Sequence, residues 1–395
     1  MPNAYTSTGS TTLGGTVGGA GLVQKAYDRL LEFALRAEPL IRSVADKTPA
    51  QQSIPGSTIV LQKYVDLTAA TGTLSETVDP DAVALSTPDQ VTITLNEYGN
   101  SVLVTRALEL FSLADVDPAI SNVIAFNLAD SIDKVAMETL RGGTNVIYGG
   151  SATSTATVAA ASTLDSADIR KAVAKLRSNK AAYRKGSMYW VGIHPEVSHD
   201  LRAETGAAGW RDPHNYQAGE NIWAGEIGAY EGAYFVESPR MFSAKSGADQ
   251  TALSTSPAVS GVSGEFTIVV ANGAFGGRAE VGDKISGTNV GAAAKITAIS
   301  VGATNTTLTV SVANSGTVGT NTLTVTPVTR VFSTIVAGKQ AMAQAVAEEP
   351  HVVIGNVTDK LMRFRPMGWY GVLGFARYRE EALYRLETGS SIAAL

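Results

Sequence analysis

The sequence predicts an α+β protein built around one long helix, and three observations carry that reading. Asp117 to Gly143 shows helical periodicity with a stop signal at each end. Two extended runs, Ser57–Val65 and Val91–Thr105, frame a polar stretch too poor in apolar side chains to hold a core of its own. From about Ser243 to Thr329, short β-prone runs alternate with Gly, Asn and Ser turns, as in a small all-β module.

The long helix has the clearest punctuation. Asp117 can accept an orphan backbone N–H at the N-cap, Pro118 suits the first helical position, and Gly142 and Gly143 supply a left-handed stop. Between them Ile120, Ile124, Leu128, Ile132, Val135 and Leu140 recur at helical spacing. Asp130 with Lys134, and Glu138 with Arg141, stand one turn apart where ion pairs form. At about 1.5 Å per residue such a helix spans about 36 Å, enough to brace a domain.

Composition bounds the rest. With 395 residues, 44% hydrophobic and 17% charged, the chain can bury a sizeable core and divide into two or three domains. A formal charge of −5 argues against wrapping duplex DNA through many phosphate contacts. There is no cysteine, which removes disulfides, thiolate nucleophiles and zinc–thiolate sites. The N-terminus lacks the basic start and apolar run of a secretory signal, and no later run is long enough to cross a bilayer, so a soluble chain made in the cytoplasm is expected.

In chain order, residues 1–21 are rich in Gly, Ser and Thr and read as an arm that orders only against something else. Leu22–Asp46 turns helical through Tyr27, Leu31, Leu35 and Ile41, with Pro39 splitting it into two short helices. The two extended runs then predict a long hairpin whose intervening stretch carries Glu76, Asp79 and Asp81. A hairpin of that length is marginal in water unless it lies on another surface or subunit. Past the long helix, Ser151–Ser162 is a polar linker. Leu164–Lys180 is helical with Asp165 or Ser166 at its cap, Ser187–Ile193 is a strand, and His194-Pro195 opens a short helix. Ile227–Val236 returns as a strand pair. The β-module follows as an insertion into a loop, with its two Thr-Leu-Thr-Val copies at 307–310 and 322–325 expected as neighbouring strands. Beyond it Val331–Val336 is a strand, Gly338–Glu348 a helix, and the aromatic run through Trp369, Tyr370, Phe375, Tyr378 and Tyr384 returns to strands. Arg363, Arg365, Arg377, Arg379 and Arg385 interleave with these aromatics, which suits strands whose other face meets a partner.

No pattern points to catalysis. His194 and His199 are spaced by five, where a zinc helix wants four, and no P-loop, dinucleotide or Gly-x-Ser-x-Gly motif occurs. Glu348-Glu349 and Glu380-Glu381 are sequence neighbours and would point to opposite faces of a strand. No cofactor, metal or catalytic residue is expected.

The order of arm, helix, long hairpin, long helix, α/β domain with an insertion, and aromatic strands resembles the major capsid proteins of tailed phages with the Hong Kong 97-like fold. Within them it is similar to the family typified by the N-four podophage coat protein. The residues that carry the resemblance are Glu97-Tyr98-Gly99-Asn100 with Val104-Thr105, Leu128–Gly142, Val191–Pro195, Gly225-Glu226-Ile227-Gly228 with Gly232, Gly338 before Ala341, and Gly368-Trp369-Tyr370-Gly371. The resemblance implies an N-terminal arm at 1–21, N-terminal helices at 22–56 and an extended loop at 57–106. It further implies a peripheral domain at 107–150 with its spine helix at 117–142, and an axial domain at 151–242 and 331–345. An inserted β-domain at 243–330 and peripheral strands at 346–395 complete the chain.

By the same resemblance the protein is a virion component, made in the bacterial cytoplasm. It would assemble as hexamers and pentamers into an icosahedral shell around double-stranded DNA. Scaffolding and portal proteins would be partners, with a decoration protein possible, and no membrane would be involved. Tyr64, Asp66, Glu76, Asp79, Asp81, Arg363 and Arg365 are the residues expected to meet neighbouring copies, while Lys63 on the hairpin is expected to be paired or solvated. The competing reading is a β-rich structural protein that binds carbohydrate or a cell surface through the inserted module.

Overall fold

The computed structural model describes residues 39–47, 57–64, 66–74, 76, 83–85, 88–106, 116–204, 226–355 and 363–392. The expected arm at 1–21 and the first of the expected N-terminal helices lie outside these residues. The chain divides into two compact units. One comprises, among the described residues, parts of Tyr98–Leu128 and Pro350–Gly371; the other holds most of Ala37–Glu97, Ala129–Glu349 and Val372–Leu395.

The elements run in the order β1 (Asp46–Lys47), β2 (Thr58–Lys63), β3 (Asp89–Thr94), β4 (Asn96–Thr105), α1 (Val116–Arg141), β5 (Val146–Tyr148), α2 (Ser166–Ser178), β6 (Tyr189–Ile193) and α3 (Pro195–Ala203). Next come β7 (Glu226–Tyr230), β8 (Ala233–Glu237), β9 (Ser243–Asp249), β10 (Ser256–Ser260), β11 (Thr267–Ala271), β12 (Lys284–Gly287), β13 (Ile296–Val301), β14 (Asn305–Val310) and β15 (Thr322–Thr326). The last four strands are β16 (Val328–Ala337), β17 (Met342–Ile354), β18 (Phe364–Arg377) and β19 (Leu383–Thr388).

In the larger unit a mixed sheet runs β5-β19-β16-β6-β8-β7, with β9 also paired to β16. Helix α2 covers it, sealed by Ile169, Val173 and Leu176 against Tyr189, Val191 and Phe235. Of the two expected caps it uses Asp165, which accepts from the Asp168 N–H. Burial, and then the like charge of Asp165, push the Asp168 carboxyl up to about 6.

The second half of α1 belongs to this unit and buries Ile132, Ala136, Met137 and Leu140. Lys134 reaches Asp130 at 2.8 Å and Arg141 reaches Glu138 at 3.2 Å, as the one-turn spacing predicts. No local pattern singles out Asp133, a buried carboxylate that accepts from the N–H groups of Ile41 (2.7 Å) and Arg42 (3.0 Å) and from Arg240 Nε (3.2 Å). Those bonds fasten the Ile41–Val44 turn, which is a short 3-10 helix, to α1.

The stop of α1 is not the expected left-handed one: the helix ends at Arg141, neither Gly142 nor Gly143 has a positive φ, and both glycines instead make room for Arg377 and Glu380, which a Cβ would approach to 2.6 and 2.7 Å. Three further expectations are corrected. Gly338–Glu348 is not a helix: the chain turns at Gln340 with φ +61 and continues as β17. Met342 joins the core with Ile41 and Leu140, while Ala343 and Ala345 join another with Ile59 and Ile93. A strand buried on both faces reads as an unbroken apolar run, which periodicity cannot separate from a helix. The second extended run is likewise two strands that break at Leu95. β3 pairs with β2, whereas β4 pairs with β18.

The third correction concerns the two Thr-Leu-Thr-Val copies, which lie in β14 and β15 with β10 and β11 between them. Identical local sequence fixes strand propensity but not partner choice. The module containing them is a six-stranded sheet ordered β12-β15-β10-β11-β14-β13. It closes on itself. Ile285 N–H donates to Ala294 O at 2.9 Å and Ile296 N–H to Asp283 O at 2.9 Å, joining β12 to the start of β13. Ile268, Val270, Leu308, Leu323 and Val325 fill the resulting barrel. The first strand of the expected insertion, β9, stays outside this ring and pairs with β16, Ala244 opposite Val331 and Ser243 opposite Phe332.

In the smaller unit the end of β17, the first part of β18 and most of β4 lie side by side in that order. The first half of α1 lays Ile120, Ile124 and Leu128 against Tyr98, Val104, Met367 and Trp369. Trp369 Nε1 donates to Asn127 Oδ1 at 2.8 Å, which satisfies the one polar atom the ring brings into that core.

Candidate assembly surfaces

The hairpin is anchored at its root and open beyond it. β2 and β3 pair in unbroken antiparallel register from Thr58 opposite Thr94 to Lys63 opposite Asp89. Ile59 and Ile93 face each other across the pair and are buried against Ala343 and Ala345, with Tyr378 at the margin. Two alanines let the hairpin approach closely, and Gly374 completes the fit: a Cβ there would stand 2.2 Å from the Thr94 carbonyl. At the end of the paired strands Lys63 Nζ meets Glu381 Oε1 at 2.8 Å. That hydrogen bond is the leading cause that holds the Glu381 carboxyl below its ordinary range.

Past Lys63 the character reverses. Tyr64, Leu67, Leu74, Val83 and Leu85 are all exposed, with Leu74 at 78% and Val83 at 77%. Asp66 and Glu76 are exposed among them, whereas Asp79 and Asp81 lie outside the described residues. A run of large apolar side chains in water on one projection is the pattern of a surface awaiting a cover. The expectation for Lys63 holds, since it is paired. Its partner Glu381 was legible only as one of two adjacent glutamates, because 318 residues separate the pair.

The smaller unit presents a second surface. Arg363 is exposed, with its guanidinium 5.2 Å from the Phe364 ring, and Arg365 is half-buried. A groove of about 310 Å³ lies nearby on the sheet, lined by Gly99, Ser101, Val353, Pro366 and Gly368. Gly99 and Gly368 are there for contact: a Cβ would fall 2.8 Å from the Trp369 carbonyl or 2.6 Å from that of Asn100.

His194 serves the fold. His194 caps α3, its Nδ1 accepting from the Glu196 N–H at 3.3 Å, and its ring lies on Phe332 with centroids 4.8 Å apart. Burial lowers its pKa, which keeps Nδ1 free to accept. His199 is exposed beside Asp200.

The phage capsid protein family model matches residues 88–292, just over half of the chain. The protein belongs to the phage capsid protein family. No curated protein matches the chain. Among solved structures, this capsid protein is similar to the capsid of Ralstonia phage GP4, with a TM-score of 0.58, 12% identity, and coverage of 96% of this chain and 97% of that one. The cyanophage Pam1 capsid gives a TM-score of 0.56 at 12% identity, covering 94% and 97%. The acid-stable capsid of Helicobacter pylori bacteriophage KHP30 gives 0.55 at 13% identity, covering 93% and 96%. At such identity the likeness speaks for the fold, which is Hong Kong 97-like. Family and fold together make this a major capsid protein, a structural component of the virion.

Proposed function

We propose that the capsid protein assembles as hexamers and pentamers into an icosahedral shell that encloses double-stranded DNA without reading its sequence. It is made in the bacterial host cytoplasm, works with scaffolding and portal proteins, and has no catalytic step of its own. The observation that carries this reading is the projecting hairpin, rooted in its own subunit but apolar and uncovered beyond Lys63. Its tip gains its order by lying on adjacent copies. Tyr64, Asp66, Glu76, Asp79 and Asp81 on the hairpin, with Arg363 and Arg365 on the peripheral strands, supply contacts between copies. Acidic and basic groups of this kind set register more than affinity.

Sites repeated around a closed shell can each be weak, because every subunit makes many of them. The net charge of −5 suits an inner wall that does not grip its genome. The inserted barrel faces outward, where its bulk does not compete with packaged DNA. The test is electron microscopy of the full-length protein co-produced with its scaffolding protein, beside a Leu74→Asp, Val83→Asp double variant. Closed particles for the parent and soluble subunits of unchanged circular dichroism for the variant are the expected results. A parent that stays monomeric, or a variant that closes shells equally well, would defeat the reading.

A further inference from the structure

Lys245 is an amine that the assembly surfaces do not use, and it is held where it can react. It lies on β9, opposite Arg330 of β16, at the seam between the main sheet and the inserted barrel. Its Nζ stands 2.6 Å from Asp283 Oδ1 and 2.9 Å from Glu280 Oε2. The lysine side chain is 12% exposed and that of Asp283 0%. Lys63, Lys134 and Lys284 also meet carboxylates, but in each of those pairs both side chains reach solvent.

The surroundings fix all three groups. Gly282, with φ +99, lets the lysine stem pass: a Cβ there would fall 2.8 Å from Lys245 Cβ. The Gly282 N–H donates to Ile296 O at 2.8 Å and the Ile296 N–H to Asp283 O at 2.9 Å, which holds the turn before β12. The Asp283 carboxylate accepts a backbone N–H on each oxygen, from Val328 to Oδ1 at 3.2 Å and from Glu280 to Oδ2 at 2.9 Å. Preorganised donors of this kind stabilise an oxyanion that forms on the same carboxyl group. Glu280 also faces Arg330 at 3.6 Å, and the hydrogen bond from Lys245 is the leading cause that keeps its carboxyl below the ordinary range. It stands ionised, open to a proton.

An ion pair this deep gains little over an apolar pair, because both charges must leave water. The same burial favours a neutral amine beside a neutral acid, which one proton moved from Nζ to Oδ1 produces. Amine and carboxyl carbon are then close to the roughly 3–3.5 Å separation from which bound groups react, at effective molarities on the order of 10⁵–10⁸ M.

We propose that Lys245 and Asp283 condense to an isopeptide bond, with Glu280 as proton shuttle, so that the inserted barrel is joined covalently to the main sheet. The Nζ lone pair adds to Asp283 Cγ, and negative charge gathers on Oδ2 against the Glu280 N–H. Glu280 takes a proton from Nζ and hands it to the Oδ1 hydroxyl, the Cγ–Oδ1 bond breaks, and one water leaves. Lysine and aspartate together lose that water, and nothing is oxidised or reduced. The exit is at hand, since Lys245 and Glu280 both line an open cleft of about 660 Å³. Each chain does this once, as a self-modification without turnover.

The test is intact-mass spectrometry of freshly synthesised full-length protein, sampled over time, beside Lys245→Arg and Glu280→Gln. Once the substitution is allowed for, the parent should become lighter than Lys245→Arg by the mass of one water. Trypsin should then fail to cut after Lys245 and should release a branched peptide that carries residues 245 and 283. Glu280→Gln changes a side chain that is 57% exposed, so it should keep the circular dichroism of the parent while slowing the mass loss roughly a hundredfold. It keeps the proposal open to refutation if Lys245→Arg fails to fold. A parent that retains its full mass at every time, a branch at another lysine, or a Glu280→Gln protein that converts as fast as the parent would each overturn the proposal.

Discussion

The inserted barrel and the projecting hairpin are both β-structure, and they treat their apolar side chains in opposite ways. The barrel turns Ile268, Leu308, Leu323 and Val325 inward and closes its first strand onto its last region, so its edges are paired within one chain. The hairpin has two strands and one shared core contact, at Ile59 and Ile93, and leaves Leu74 and Val83 in water. Closure satisfies backbone and side chains together, whereas a two-stranded ribbon can do so only along its root. The barrel's stability therefore resides in its own core, whereas the exposed apolar residues beyond the hairpin root add nothing to the subunit's own core and, on the assembly proposed above, would be covered by other copies.

That contrast can be broken most sharply at the barrel core. Ile268→Ala removes a fully buried side chain and should cost about 2–5 kcal/mol, read as a lowered urea midpoint for the barrel; a loss below about 1 kcal/mol would mean that the barrel does not stand on that core. Next is the hairpin root. Gly374→Ala drives a methyl into the Thr94 carbonyl and should cost about 1–3 kcal/mol, with amide protection lost in β2 and β3 while the barrel keeps its own.

The ion pair at the end of the root is smaller, since Glu381 is more than half exposed. Glu381→Gln should cost less than about 1 kcal/mol at pH 7. The sign is fixed by the lowered carboxyl: its contribution is present above the unfolded pKa and disappears as pH falls through the folded one, so parent and variant should converge in acid. Denaturation curves at pH 7 and pH 3 check this, and a gap that widens in acid would contradict it. The smallest effect on subunit stability belongs to the tip. Leu74→Ser should leave unfolding of the isolated subunit within about 0.5 kcal/mol of the parent, and its consequence should appear only in the yield of assembled particles.

Sequence reasoning served these regions unequally. The helix over Val116–Arg141 was legible because its apolar periodicity and its one-turn ion pairs are local, although its stop was not of the expected kind; the cap of α2 was legible, to within Asp165 or Ser166, for the same reason. The hairpin was half legible. Its strands alternate, but the break at Leu95, which sends the following strand to β18, depends on a partner far away in sequence. The barrel's strands could be read from their turns, while the order that separates its two matching copies could not. The candidate surfaces followed the same division: Tyr64 and the acidic tip are visible in composition, whereas Ala343, Ala345, Gly374 and Glu381 have no signal until the hairpin lies on them.

The α+β class, the existence of the long helix and that of a separate β-module were legible from local pattern. Tertiary structure alone decided that Met342–Ile354 is a strand, that the module closes into a ring, and that Asp133 and Asp283 each hold distant segments together. What separates the two sets is range. Caps, turns and periodicity are energies between residues a few positions apart, while strand partnership and buried carboxylates are settled by contacts whose entropy cost is met only once the whole chain is in place.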